Sequence, residues 1–289
     1  MIYYLILYYN MKLAIYCRNN LYYDTVIEYL ISILKYIRYD LILYQNVDNI
    51  GNIVRNIKEY DYVIFVQKIP ILVTNIKKYK QKIICINIEQ LSREQYYNSI
   101  LLRDYAIDYS HANIKLLNNK SLFFPYGINH DEIKNWDKPY DICFVGAISE
   151  KRKKILDELH NQKINVTCIT DIKGNQRDEY VFRHKILINI HYDNTFKIYE
   201  SIRCDRCIFN KMIVITESSL FDDELLIADK LIIVDYEHFV EKVINVLENY
   251  DSIYNELFHE YDKFMENYDN AIKKIYSDNI DTLKNNISH

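Results

Sequence analysis

Glu200 and Arg203 lie three residues apart, about one helical turn, so a carboxylate and a guanidinium can face the same ligand. Upstream, His191, Tyr192, Asp193 and Asn194 follow directly on the apolar run Ile186 to Ile190. Such a run reads as a strand inside a parallel sheet, and open α/β sheets hold their ligands at the carboxyl ends of their strands. Proton acceptors, donors and positive charge are therefore expected together at one sheet edge. Each residue also has a plainer reading. Glu200 suits a helix start through the dipole, Arg203 suits an ion pair with it, and His191 suits a satisfied structural histidine.

Two further groups point to the same chemistry. Lys151-Arg152-Lys153-Lys154 opens an expected helix just after Gly146, where a helix amino end and a guanidinium can hold phosphate together; the alternative is a solvated helix face. Gly174-Asn175-Gln176-Arg177-Asp178 has the look of a glycine turn entering a helix, with a surface turn as the alternative. The chain has only 4 Gly and 3 Pro, so Gly146 and Gly174 are informative. Both follow expected strands, at turns where a phosphate or sugar can approach the backbone; ordinary turn glycines are the other reading.

The elements that must position these groups alternate along the chain. Short apolar runs predict strands near 12–17, 41–44, 62–66, 83–88 and 121–124, with amphipathic helices near 22–37, 50–59, 70–80 and 92–103. The second half predicts strands near 141–145, 165–169, 185–190, 211–215 and 230–234, and helices beginning near 149, 176, 196 and 220. That alternation is the signature of doubly wound parallel sheets. A boundary near 125–139 gives an α/β chain of two Rossmann-like domains, 1–130 and 138–240, and a helical tail over 241–289.

These motifs resemble the donor-binding half of GT-B glycosyltransferases. The resemblance rests on Asn189-Ile190-His191-Tyr192, on Glu200 with Arg203, on Thr216-Glu217, and on Tyr140 to Gly146 followed by Ser149-Glu150-Lys151-Arg152. It covers residues 85 to 235 and implies the GT-B arrangement, two Rossmann-like domains facing across a cleft. It also implies an acceptor-binding first domain, a second domain that binds a nucleotide diphosphate sugar, and transfer of the sugar to a saccharide or other hydroxyl acceptor. The tail is then expected to pack back on the first domain. Donor-binding residues carried over are Gly146, Arg152, Gly174, Arg177, His191, Asp193, Glu200 and Arg203, with Glu200 on the ribose hydroxyls. Glu89, in Asn87-Ile88-Glu89-Gln90, is the first candidate for a catalytic base, with Asp24 and His111 as alternatives, and His191 is the second catalytic candidate. The chain departs from the larger retaining families, whose E-x7-E pair would need Glu at 192 where this sequence has Tyr. Stereochemical outcome is thus left open.

Composition narrows the rest. A length of 289 residues suits two domains of roughly 100–200 residues. Net charge of -4 argues against a broad nucleic-acid face while allowing a local basic pocket. No D-x-D, G-x-G-x-x-G or P-loop occurs, so no cofactor and no metal are expected beyond the nucleotide-sugar substrate. Most of the 6 cysteines fall in apolar runs, and Cys204-Asp205-Arg206-Cys207 has no second ligand pair, so a reducing, cytoplasmic setting is expected. The first nine residues are too short to span a bilayer and lack a charged leader. The rival readings are a non-catalytic GT-B-like binding module and a sugar-nucleotide epimerase.

Overall fold

The computed structural model describes residues 13–17, 43–46, 62–66, 82–88, 90, 105–116, 121–172, 174–195 and 197–287. The chain divides into two compact units, one holding residues up to Gly127 together with those from Ile272 onward, the other Ile128–Ala271. The helices expected near 22–37, 50–59, 70–80 and 92–103, and Asp24 and Glu89, lie outside the described residues.

In the first unit six strands form one sheet: β1 (Leu13–Cys17), β2 (Leu43–Asn46), β3 (Tyr62–Val66), β4 (Lys82–Asn87), β5 (Tyr105–Asp108) and β6 (Ser121–Phe123), in the order β2-β1-β3-β4-β5-β6. Every pairing is parallel. β5 and the short helix α1 (His111–Leu116) have no counterpart in the sequence reading. At the carboxyl end of β5, Asp108 is fully buried and accepts hydrogen bonds from Asn87 Nδ2 (2.7 Å), Ser110 N (2.8 Å) and Asn113 Nδ2 (3.1 Å).

The second unit carries β7 (Tyr140–Val145), β8 (Val166–Ile169), β9 (His184–Asn189), β10 (Ile213–Glu217) and β11 (Leu231–Val234), parallel throughout in the order β11-β10-β9-β7-β8. Its helices are α2 (Glu150–Asn161), α3 (Gly174–Phe182), α4 (Ser201–Phe209), α5 (Phe239–Glu248) and α6 (Tyr250–Phe258). α7 (Tyr261–Ile287) begins in this unit. β9 and β10 are covered on both faces, so their sequences run apolar without alternation: Ile186, Leu187, Ile213, Val214 and Ile215 are all 0% exposed. In α2 the apolar face is Ile155 and Leu159, buried against the sheet layer, and Ser149 caps its start by accepting from Arg152 N at 3.3 Å.

α4 ends abruptly because Lys211 takes φ 52 while Lys211 N and Met212 N bond to the Ile208 and Cys207 carbonyls, each at 2.9 Å. This double bond from a left-handed residue closes the helix and turns the chain directly into β10. Behind α4, Arg206 makes a two-toothed pair with Glu132 and reaches Asp178 at 2.8 Å, and Trp136 donates to Asn210 at 2.8 Å beside the Phe182 ring. The segment entering the unit is thus held to the carboxyl half of α4. Deeper in, Asp205 accepts from Tyr199 (2.9 Å) and from Tyr268 of α7 (3.4 Å). Beyond Ile272, α7 belongs to the first unit, where Tyr276 donates to the Pro125 carbonyl at 2.7 Å and its ring meets Phe124.

The helix expected near 220 does not form. Phe221 adopts φ 63 and Leu225 is extended, so residues 222–224 and 228–230 make only short 3-10 turns. Among the described residues no helix is long and apolar enough to cross a membrane.

Candidate functional site

The strand order of the second sheet reverses direction of winding between β7 and β9, and such a switch point opens a crevice at the carboxyl ends of those strands. Gly146 follows β7 there with φ 131, a backbone conformation strained for any residue with a side chain. A Cβ at this position would stand 3.3 Å from Arg152 Nη1 and 3.5 Å from Arg203 Nη2. Glycine is therefore favoured by the φ of the turn, and its bare Cα lets the two guanidinium groups lie close over the backbone.

The two arginines do different work. Arg152 is 3% exposed, donates through Nε to the Ile190 carbonyl (2.7 Å) and through Nη1 to Ala147 (2.9 Å), and lies against the rings of Phe144 and Tyr192. It ties the loop after β7 to the end of β9. Burial lowers its pKa to about 10, with Glu200 opposing the shift and Arg203 adding to it. Arg203 is more open: Nη1 donates to Asn189 Oδ1 (3.3 Å) and Nη2 pairs with Glu200 Oε2 at 2.6 Å. Asn189 is itself oriented by donating to Thr216 at 3.1 Å.

Glu200 occupies the cap position of α4, yet its carboxylate makes no bond to the helix start. It straddles the arginines instead, with Oε1 at 3.6 Å from Arg152 Nη2. Two guanidinium groups thus share one carboxylate beside an uncapped helix amino end, and the Ser201 hydroxyl there is buried without a partner. Surplus positive charge, a helix amino end without a side-chain cap and a glycine with no side chain together make a candidate anion site.

Adjoining it is a cleft of about 1190 Å³, walled by the start of α2 and by the ends of β9, β10 and β11. Tyr192 belongs to both places, lining the cleft and stacking on Arg152. Glu217 organises one wall: it accepts from His191 N at 3.0 Å and pairs with Lys151, whose ammonium sits 4.8 Å from the Tyr236 ring centre. His191 Nε2 faces the Ser218 carbonyl at 3.2 Å, so it carries the ring proton. Nδ1 is left as a buried acceptor without a partner. Burial holds the His191 pKa below its ordinary value, against the pull of Glu217, so the ring is neutral near pH 7.

Three residues singled out in the sequence sit apart from this cluster or serve the chain. Asp193 lines the cleft while its carboxylate holds Thr195 N (2.7 Å) and Oγ1 (2.6 Å) in a local turn. Arg177, on α3, pairs with its neighbour Asp178 and does not line the cleft. Gly174, at φ 61, is the first residue of α3 and does not line the cleft. Glu217 is the organising residue that the sequence reading quoted only as a motif letter, whereas Asn189, alternating with Ile188 and Ile190, could be read as facing the cleft or holding a loop. In the structure Asn189 stands opposite Thr216 on the adjacent strand β10.

No family model matches the chain. Uncharacterized protein L140 of Acanthamoeba polyphaga mimivirus is 35% identical over 217 residues, covering 67% of this chain and 70% of L140. Uncharacterized protein L137 of the same virus is 34% identical over 264 residues, 86% of this chain, and the match spans only 34% of L137. Among solved structures, T4 phage BGT in complex with UDP and Mn2+ superposes with a TM-score of 0.63 at 15% identity, over 96% of this chain and 100% of that one. Anabaena Alr3699/HepE in complex with UDP and glucose gives 0.63 at 9% identity, again over 96% and 100%. The fold is that of GT-B glycosyltransferases, built from Rossmann-like domains.

Proposed function

This chain belongs to one family with mimivirus protein L140, and we propose that it is a glycosyltransferase that binds a nucleotide diphosphate sugar at the amino end of α4. The observation that carries the reading is the pair of guanidinium groups sharing one carboxylate over Gly146. A diphosphate supplies the missing negative charge, and each charged hydrogen bond contributes about 1.5–3 kcal/mol. BGT and HepE carry UDP in their structures, which makes UDP the first ligand to try.

In the proposed step the acceptor hydroxyl gives its proton to a base and its oxygen attacks the anomeric carbon. The bond from that carbon to the diphosphate oxygen breaks, and the diphosphate leaves with the electron pair. Arg203 and the α4 amino end stabilise the developing charge, while Arg152 holds the glycine turn in place beneath it. We assign the base to Glu89 and a positioning role to His191, whose protonated nitrogen holds the loop after β10. Asp193 shapes the turn after β9 at the wall of the cleft, while Gly174 and Arg177, on α3, sit apart from it.

Nucleoside diphosphates are expected to stabilise the protein, by about 2.7 kcal/mol at a concentration 100 times Kd. Thermal melting with UDP, GDP, ADP, TDP and CDP checks this, and five flat responses would sink the donor site. Donor turnover is expected to be the same with and without excess EDTA, since arginines and a helix terminus take the charge. The BGT structure is a complex with UDP and Mn2+, so here loss of turnover restored by Mn2+ would overturn that assignment. Tight nucleotide binding with neither donor hydrolysis nor transfer would favour a binding module instead.

A further inference from the structure

We propose that Glu200 is an internal stand-in for phosphate, and that donor binding exchanges it: the diphosphate takes Arg203, and the released carboxylate takes the ribose hydroxyls. The ribose half of this inference rests on the nucleotide-sugar reading above; the anion half stands on the geometry alone. The Glu200 carboxylate places its two oxygens against two different guanidinium groups, 2.6 Å from Arg203 and 3.6 Å from Arg152, as two oxygens of one phosphate would lie. It does so from the cap position of α4, where a shorter side chain would bond the helix start and where this one makes no such bond. At the next position the Ser201 hydroxyl is buried without a partner, a donor that an anion at this helix start can engage.

An anion entering this site competes with a tethered carboxylate. A bare phosphate or pyrophosphate must displace Glu200 from its 2.6 Å contact with Arg203 and leaves the carboxylate only the longer contact with Arg152, at 3.6 Å. A complete nucleotide displaces it and then supplies, through two vicinal hydroxyls, the donors that satisfy it. The exchange therefore favours the intact nucleotide over its inorganic fragment, and the discrimination comes from a residue that weakens binding of the fragment.

Calorimetric titration of inorganic pyrophosphate and of the five nucleoside diphosphates against wild type, Glu200→Gln and Glu200→Ala tests this, with melting curves confirming that each variant is folded. Pyrophosphate is expected to bind both variants at least about tenfold tighter than wild type, equivalent to about 1.4 kcal/mol. The preference for a nucleoside diphosphate over pyrophosphate is expected to shrink in both. Unchanged or weaker pyrophosphate binding in the two variants overturns the stand-in role. Tighter pyrophosphate binding with no nucleoside diphosphate bound by wild type would leave the anion exchange in place and remove the nucleotide reading.

Discussion

At the carboxyl edge of the first sheet Asp108 is enclosed by three nitrogen donors at 2.7–3.1 Å, whereas at the same edge of the second sheet two guanidinium groups share a single carboxylate. The first five positions of both sheets follow one order, second, first, third, fourth, fifth, but the two groups sit at different places in it: the arginine pair lies at the switch point between β7 and β9, and Asp108 ends β5, the fifth strand of its own sheet. The two edges differ chemically because Asn87, Ser110 and Asn113 complete the Asp108 carboxyl, while two guanidinium groups are left to share Glu200. A fold supplies the position of a site, and an imbalance of hydrogen-bonding groups supplies its ligand.

The largest expected effect tests the closed edge. Asp108→Ala removes the acceptor shared by three buried donors, and at about 1–3 kcal/mol for each orphaned group it should cost at least about 3 kcal/mol. Urea unfolding measures that loss; nucleotide affinity of the folded fraction should not move. Retained stability would show that the network is replaceable and blur the contrast between the edges.

Arg203→Ala tests the open edge and should reverse the pattern. Diphosphate binding should weaken by about 1.5–3 kcal/mol, with a nucleoside nearly unaffected and unfolding little changed, since the side chain is partly exposed. Equal affinity in variant and wild type, by calorimetry, would move the anion site away from Gly146.

A subtler test asks whether the contrast is between units or between engaged and open groups. Asp205 lies in the second unit yet is closed, held by two tyrosine hydroxyls, and burial pushes its pKa from 3.8 up to about 7. Because the folded value is the higher one, the folded state binds more protons between these values, and this group's contribution to stability is lost as pH rises from about 4 through about 7. Asp205→Asn cannot titrate, so wild-type stability minus variant stability should fall across that window and be level above it. A flat difference in melting temperature from pH 4 to 8 would mean the carboxyl stays ionised and is satisfied by its tyrosines.

Much of the second sheet was legible because its strands are buried on both faces: Ile186 to Ile190 and Ile213 to Ile215 can be little else. β5 escaped because Tyr105-Ala106-Ile107-Asp108 is four residues long with polar ends, too short to show a period. Near 220 the expected helix stops after one 3-10 turn because Phe221 is left-handed and Leu225 is extended, backbone choices that the residue types there do not announce. In the site, the one-turn spacing of Glu200 and Arg203 was readable. The strut role of Arg152 was not, because it depends on carbonyl groups at Ala147 and Ile190 that no side-chain pattern encodes.

The chain contains a single tryptophan, and Trp136 is fastened to Asn210 and packed on Phe182 within the second unit. Its indole emission is consequently a built-in optical label for that unit alone, set against 29 tyrosines distributed through the whole chain. Selective excitation of the indole follows loss of the α4 anchor, while tyrosine signals follow both units, so one unmodified sample records whether the two melt together or in turn.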